Sequence, residues 1–471
     1  MFCRLIAALA IAAFAFTFAF ATPAAAQAPE QSLLRAIYQE LVEIDTSDAS
    51  GDSTRAATAM AARLRGAGIA AADIEVITPA DGPKKGNLVA RLRGTGAKKP
   101  LLLLAHIDTV NANREDWQRD PFKLIEENGY FYARGAADNK AMAAALVTIM
   151  IQLKQQNVRL ERDLILALTT DEEIIPSKFS GIDYLIKNHR TLIDAELALN
   201  EGGSGLLDKS GKPLYHGIQA GEKVFQTYRL EVTNPGGHSA RPSKDNAIYH
   251  LAAGLARLAS YDFPAKLLPV TRAYFERAAA FESGEVAADM KAVLREPPDT
   301  AALARLSNRP LFNALLRTTC VATMLDAGHA TNALPQRARA VVNCRVLPGE
   351  AVDAVQKTLA RVLANDKISI TPDGEAVLSP PPPLTAAIMQ PVNAISAAMW
   401  PGVPVIPTLS SGATDGRFLA NIGIPTYGIT GQFRDGDGGG VHGLNERIRV
   451  QSFYEGHQFL GRLVRALAGA E

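Results

Sequence analysis

The sequence predicts an α/β fold, a sheet covered by helices on both faces, with a smaller α+β domain inserted into it. Three observations carry this. Apolar strand-like runs alternate with helical periodicities up to Asn200, the order that builds a helix-covered sheet. From Phe225 onward the pattern loosens to alternating strands with occasional helices. The run Ser379-Pro380-Pro381-Pro382-Pro383 is a stiff extended connection by composition, and it marks the return to the first domain.

Over residues 32–43 the apolar positions Leu33, Leu34, Ile37, Leu41 and Val42 recur at helical spacing, and residues 54–64 open a second helix of the same kind. The period then changes. Residues 87–92 and 100–106 read as strands, the second apolar on both faces and therefore central. An Ala-rich helix follows over 139–155, then strands over 163–169 and 196–200. In the inserted part, residues 226–233 and 339–345 alternate as strands and residues 246–259 and 351–364 as helices, while 261–310 is helical, charged and without motifs. After the prolines come a strand over 424–429 and a closing helix over 452–468. A chain of this length exceeds one core at roughly 100 to 200 residues per domain. The boundaries this gives are 27–220 with 379–471 for the first domain and 221–378 for the insertion.

The N-terminus has the layout of a secretory signal peptide: Arg4, an apolar run from Leu5 to Ala21, then Thr22-Pro23-Ala24-Ala25-Ala26 with a cleavage site after Ala26. The apolar run falls short of the roughly 20 residues a spanning helix needs, and charged residues interrupt every later apolar segment. The expected location is therefore the periplasm or the cell exterior, with no membrane partner after cleavage. With 49 basic and 48 acidic residues there is no electrostatic footprint for nucleic acid. A small-molecule ligand is expected instead.

Five short motifs place histidines or carboxylates at or just beyond the ends of apolar strands, where open α/β sheets put their sites. They are His106-Ile107-Asp108, Ala137-Asp138-Asn139-Lys140, Asp171-Glu172-Glu173, Asn200-Glu201-Gly202-Gly203 and Val441-His442-Gly443-Leu444-Asn445-Glu446. Each alone is weak, since strand-end histidines and acidic pairs are commonly core or surface features. Together with Ala133-Arg134-Gly135 before Asp138 and Gly236-Gly237-His238-Ser239-Ala240-Arg241-Pro242, they stand in an order that resembles the zinc peptidase family of glutamate carboxypeptidase, aminoacylase, acetylornithine deacetylase and succinyl-diaminopimelate desuccinylase. The resemblance covers nearly the whole chain after the leader. It implies a mixed-sheet catalytic domain with an inserted lid and dimerisation domain, two Zn2+ ions per subunit, and a homodimer.

The same resemblance makes His106, Asp138 and Glu201 ligands of one zinc and Asp138, Glu173 and His442 ligands of the other, with a cis peptide after Asp138. Imidazole and carboxylate suit zinc, and two close dications need several anionic oxygens. Asp108 is expected to accept the free ring N–H of His106. Glu172, beside a ligand but binding no metal, is expected to move a proton from water to the leaving amine. His238 resembles the family histidine that reaches the partner subunit's site to hold the carbonyl oxygen. Asn332 and Arg345 resemble residues of the insertion that meet substrate, the arginine through a terminal carboxylate. Gly412 and Thr414 resemble the loop beside the substrate.

The implied substrate is a small peptide or an N-acyl amino acid with a free carboxylate next to the cleaved bond. Glu rather than Asp at position 201 resembles the carboxypeptidase and acylase branches. An aminopeptidase or dipeptidase is the alternative within the family, and a peptide-binding protein without turnover the alternative outside catalysis, disfavoured because every ligand position and Glu172 are filled. Two departures from the family pattern bear on substrate choice: bulky Ile174-Ile175-Pro176 after the acidic pair, and Asn139 where many relatives have Asp. Cys3 leaves with the leader. Cys320 and Cys344 lie equally far from Asn332, so antiparallel strands pairing about that residue would set the thiols opposite each other, within reach of a disulfide. A one-residue slip would turn them to opposite faces and leave two small buried hydrophobes.

Overall fold

The computed structural model describes residues 29–470; the leader read at residues 1–26 lies outside them. Among the described residues, ten strands form one mixed sheet. Its order runs Ile74–Ile77, Asn87–Leu92, Leu164–Thr169, Leu101–His106, Leu197–Asn200, Thr426–Gly428, Pro213–Glu222, Gly205–Leu207 and Phe433–Arg434, with Val405–Ser410 pairing along Pro213–Glu222. The strands Leu164–Thr169, Leu101–His106, Leu197–Asn200 and Thr426–Gly428 are parallel neighbours.

The continuous apolar run over residues 101–106 is explained by position. All six residues are buried, and alternate side chains feed two different cores: Leu101 and Leu103 enter the one under Pro29–Glu43, Lys140–Gln155 and Val450–Ala468, while Leu102 and Leu104 enter the one under Gly181–Asn188. Each leucine so buried contributes roughly 1.5–3 kcal/mol. A helix-covered central strand cannot alternate polar with apolar, because neither face meets water.

A second sheet is entirely antiparallel, in the order Thr319–Ala327, Arg337–Val346, Val224–Thr233, Ser369–Asp373. One face packs Tyr228, Leu230, Val342 and Cys344 against Ala247–Ala259 and Val352–Leu363. The chain enters this sheet directly from Glu222 of the large sheet and leaves it toward Ser379. The helices Pro269–Ala278, Gly284–Ala292, Thr300–Ser307 and Pro310–Leu316 fill the stretch read as helical and without motifs. They form a core of their own that also takes in Ala220 and Leu409 of the large sheet, and Arg277 donates to the carbonyl of Val405 on that sheet's edge. This stretch therefore leans on the large sheet as well as on Leu347 and Lys223, at the ends of strands of the smaller one.

Cys320 and Cys344 are register partners joined by a disulfide, with Cα atoms 4.1 Å apart. A bulge between Ala322 and Met324 shifts the register beyond them. The connecting segment departs from a plain hairpin, since Ala333–Leu334 pairs with Gly237–His238. No helix among the described residues is long and apolar enough to cross a membrane.

Candidate metal centre and active site

The parallel strands deliver the site from one side. His106 ends Leu101–His106, Glu172 and Glu173 follow Leu164–Thr169, and Glu201 follows Leu197–Asn200. Asp138 stands just before the helix Lys140–Gln155, and its peptide bond to Asn139 is cis, as the resemblance implies. His442 comes from a turn after Gly438–Gly440 with φ +61, a left-handed conformation that a histidine adopts only under local constraint.

These side chains converge. His106 Nε2 lies 3.2 Å from Asp138 Oδ1 and 3.5 Å from Glu201 Oε2. His442 Nε2 lies 3.2 Å from Asp138 Oδ2 and 2.9 Å from Glu173 Oε2. Two groups able to hold a cation result, His106 with Asp138 and Glu201, and Asp138 with Glu173 and His442, each with donor atoms within 4.8 Å of one another. Asp138 offers one oxygen to each.

The electrostatics fit cations in both positions. Burial, with the charge of neighbouring carboxylates, raises the carboxyls of Glu172, Glu173 and Glu201 above their ordinary range. Burial alone would depress His106, yet the charge of Glu201 and bonds to Asp108, Asp138 and Glu201 hold it well above the usual imidazole value. Negative charge is packed into low dielectric beyond what two imidazoles offset, which two divalent ions would relieve. Oxygen and imidazole donors suit zinc.

Around this cluster the structure assigns geometry that the motifs alone did not specify. For the free ring nitrogen of His106 the nearer acceptor is the Asp108 carbonyl oxygen at 3.1 Å, with the Asp108 carboxylate at 3.4 Å. That carboxylate also accepts the backbone N–H of Glu173 at 3.1 Å and of Glu172 at 3.3 Å, so it orients the acidic pair as well as the ring. Glu446, quoted in the last motif without a role, is buried and accepts from Arg134 Nη1 at 2.8 Å, from the N–H of Gly135 at 3.0 Å, of Ala137 at 2.8 Å and of Asp138 at 3.0 Å. It holds the backbone that aims Asp138.

Glu172 Oε1 is buried without a hydrogen-bond partner among the described residues, and Arg417 Nη1 stands 4.0 Å from it. Asp415 accepts from Thr169 Oγ1 at 2.7 Å, and burial pushes its carboxyl up to about 6. Sequence reading stopped at the glycine-rich loop and missed both Asp415 and Arg417. The available signal was two charged residues flanking Gly416 between apolar strands and an apolar helix.

Of the loop residues that were read, Thr414 is fixed by Asn200 Nδ2 at 3.1 Å and, through its own N–H, by Glu222 Oε2 at 2.8 Å, while the Gly412 N–H bonds Ser410 Oγ at 3.1 Å. Arg345 is half-buried on the smaller sheet; its guanidinium lies 4.7 Å over the Phe225 ring and its Nε bonds Asn343 Oδ1 at 3.3 Å. His238 and Asn332 are not drawn into the cluster. Both are exposed on the short ribbon, where His238 Nδ1 accepts from the N–H of Ala240 and the Asn332 carbonyl from the N–H of Ser239.

Comparison with known proteins supplies an independent line. Residues 102–466 match the description of the peptidase family M20/M25/M40. The chain is 28% identical over 378 residues to the N-fatty-acyl-amino acid synthase/hydrolase PM20D1 of Mus musculus, covering 78% of this chain and 74% of that protein. It is 27% identical over 386 residues to the probable carboxypeptidase S-like 2 of Dictyostelium discoideum, covering 78% and 71%. In fold it is similar to the M20 family metallo-carboxypeptidase Sso-CP2 from Sulfolobus solfataricus, with TM-score 0.68, 20% identity, and 92% and 99% of the two chains covered.

Proposed function

The chain belongs to the peptidase family M20/M25/M40 and is a metal-dependent hydrolase of that family, and from this premise we propose that it uses two zinc ions to cleave the amide bond of an N-acyl amino acid or small peptide beside a free carboxylate. The observation that carries the reading is Asp138, which gives one oxygen to each of two donor groups while Glu172 stands beside them bonded to neither histidine. Bound there, the zincs would polarise the scissile carbonyl and lower the pKa of the attacking water.

The protein's own groups do the rest. Glu172, whose carboxyl is held above its ordinary range by burial and by Glu201, takes a proton from the attacking water and hands it to the departing amine nitrogen. Arg345 faces the cleft from the smaller sheet and Arg417 from the helix Gly416–Asn421. Their mutual repulsion, added to burial, lowers the pKa of Arg345, and an incoming carboxylate relieves it. Relatives named for N-fatty-acyl-amino acid hydrolysis and for carboxypeptidase activity agree with a substrate of this kind.

The working unit we propose is a secreted homodimer, with residues 27–220 and 379–471 as catalytic domain and 221–378 as lid. The edge strand Thr319–Ala327 supports it, leaving Val321, Met324 and Leu325 59%, 68% and 67% exposed, an unprotected apolar edge of the kind that pairs with another chain. His238, turned to solvent in its own chain, is then free to enter the partner's site. The leader-like N-terminus and the disulfide support an oxidising compartment.

The test is direct. Protein stripped with chelator and reloaded with zinc is assayed on N-acyl amino acids, dipeptides and carboxyl-blocked peptides. The expected result is two zincs per chain and turnover only of substrates with a free carboxylate. Equal turnover of blocked peptides would remove the carboxylate clamp, and a strict need for a free amine would favour the aminopeptidase or dipeptidase alternative.

A further inference from the structure

The residues that depart from the family pattern, Ile174 and Ile175, line a groove of about 390 Å³ together with Pro176, Phe225, Val377 and Phe418. Its inner end is at the reacting groups. Ile174 directly follows Glu173, and Arg417, which also lines the groove, stands 4.0 Å from Glu172. Phe225 is the ring beneath the Arg345 guanidinium. At its outer end Glu375, Ala376 and Asn421 are shared with a second, larger cavity of about 980 Å³ that runs past Val224 and Leu378. Apolar surface is left open along the way, Ile175 at 37% and Leu378 at 49% exposure.

On the reading that the enzyme cleaves beside a free carboxylate, we infer that this groove receives the side chain of the amino acid that is released, and that it selects large apolar side chains. Arg417 lines its inner end, and Arg345 lies over the Phe225 ring that lines it. Among the described residues neither is engaged by a carboxylate closer than the 4.0 Å contact of Arg417 with Glu172; Arg417 Nη1 donates to the Thr414 carbonyl at 3.0 Å, and Arg345 bonds the Asn343 side-chain oxygen besides lying over that ring. A substrate carboxylate held between the two guanidiniums sets the α-carbon beside Ile174, Ile175 and Phe418, the apolar part of a lining that also carries Asp183, Lys187 and Glu375. A Leu or Phe side chain buries its surface and that of Ile175 together, whereas glycine leaves both in water. The volume lies within the range of specific small-molecule sites, roughly 300–1,000 Å³.

The experiment compares kcat/KM of the zinc-loaded enzyme on two substrate sets: N-acetyl derivatives of Gly, Ala, Leu and Phe, and N-acyl leucines with short, medium and long acyl chains. The expected preference is Phe and Leu over Gly by about 10–100-fold, the scale set by burying such a side chain. Ile175→Ala combined with Phe418→Ala should collapse that ratio through KM. Ile175→Lys should raise turnover of N-acetyl-glutamate relative to N-acetyl-leucine, a gain that a misfolded variant cannot produce. If these variants instead alter selectivity for acyl-chain length, the groove holds the acyl group and the inference is overturned. Hydrolysis with no side-chain preference would also overturn it, leaving the proposed reaction standing; absence of hydrolysis of every amide would bring down that reaction and the subsite with it.

Discussion

His106, Glu173 and Glu201, at or just beyond the ends of strands in the large sheet, lie within reach of Asp138 before the helix Lys140–Gln155 and of His442 in a late turn, whereas His238 and Asn332 face solvent at a separate two-stranded ribbon. The first region is packed against two cores and braced from behind by Asp108 and Glu446. The second is held by a few backbone bonds, and among the described residues its groups are not drawn into the ligand cluster. The difference fits two tasks: the large sheet fixes the metal-ligand cluster within one chain, and on the proposed dimer the groups of the ribbon would be completed by substrate or a second subunit.

The largest effect that sharpens this contrast is expected at Glu172. Glu172→Ala should lower kcat by about 10²–10⁴-fold while metal analysis still finds both zincs, because the side chain bonds neither histidine. Near wild-type turnover would remove it from the mechanism. His238→Ala should lower kcat by about 10²–10³-fold, the scale of one lost donor to a developing oxyanion, again without metal loss. Mixing His238→Ala chains with Glu172→Ala chains should restore part of the activity if subunits exchange and sites are shared, and the shared-site idea does not survive exchanging dimers that stay inactive.

Glu446→Ala tests the bracing of the first region. It strips one acceptor from four donors, and the expected outcome is a loss of about 10–100-fold in zinc affinity by competition with a chelator, largely recovered in Glu446→Gln. Unchanged affinity would reduce Glu446 to a packing role.

The smallest effect concerns the joint between the regions. Glu222 accepts from Thr414 N–H at 2.8 Å and from Ser379 Oγ at 3.0 Å, tying the chain's exit from the large sheet to its return. Burial pushes its carboxyl from 4.5 up to about 7. The native chain therefore binds more protons than the unfolded one between those values, and the stability from this site falls as pH rises through that window. Glu222→Gln removes the charge, so its unfolding midpoint in urea should exceed that of wild type by the equivalent of about 2–3 kcal/mol at pH 8, with the gap closing as pH falls toward 4.5. A gap that widens on acidification would reverse the assignment.

What could be read in advance follows the same division. The strands at 101–106 and 163–169 were legible because burial on both faces leaves an unbroken apolar run, and His106, Glu173 and Glu201 because their motifs sit at or just beyond such a strand's end, while Asp138 and His442 were legible only through the family order of motifs. Their equal distance to Asn332 left Cys320 and Cys344 open to a disulfide or to two buried thiols, and the structure joins them. The bulge at Ala322 and Met324 was not legible, nor the pairing of Ala333–Leu334 with Gly237–His238, since a shift of register leaves no trace in composition. Arg417, Asp415 and the acceptor role of Glu446 were hidden for another reason: each acts through a contact with residues more than two hundred positions away, which local periodicity does not encode. The clustering of helices 269–316 on Ala220 and Leu409 was out of reach for the same cause.

The order of strands has a consequence for how the chain comes to be assembled. All four strands of the smaller sheet lie in one unbroken stretch, 224–373, but Thr426–Gly428 sits in the middle of the large sheet, between Leu197–Asn200 and Pro213–Glu222. During synthesis from the N-terminus the smaller sheet can close on itself while the larger one is still two separate pieces waiting for a strand made near the end. His442 follows in the same late segment. His106, Glu173 and Glu201 end or follow three strands that pair with one another without Thr426–Gly428, so a nascent chain halted before Thr426 would already carry these ligands side by side; the late stretch brings His442, the last ligand of the second donor group, and Glu446, which holds the backbone of Asp138.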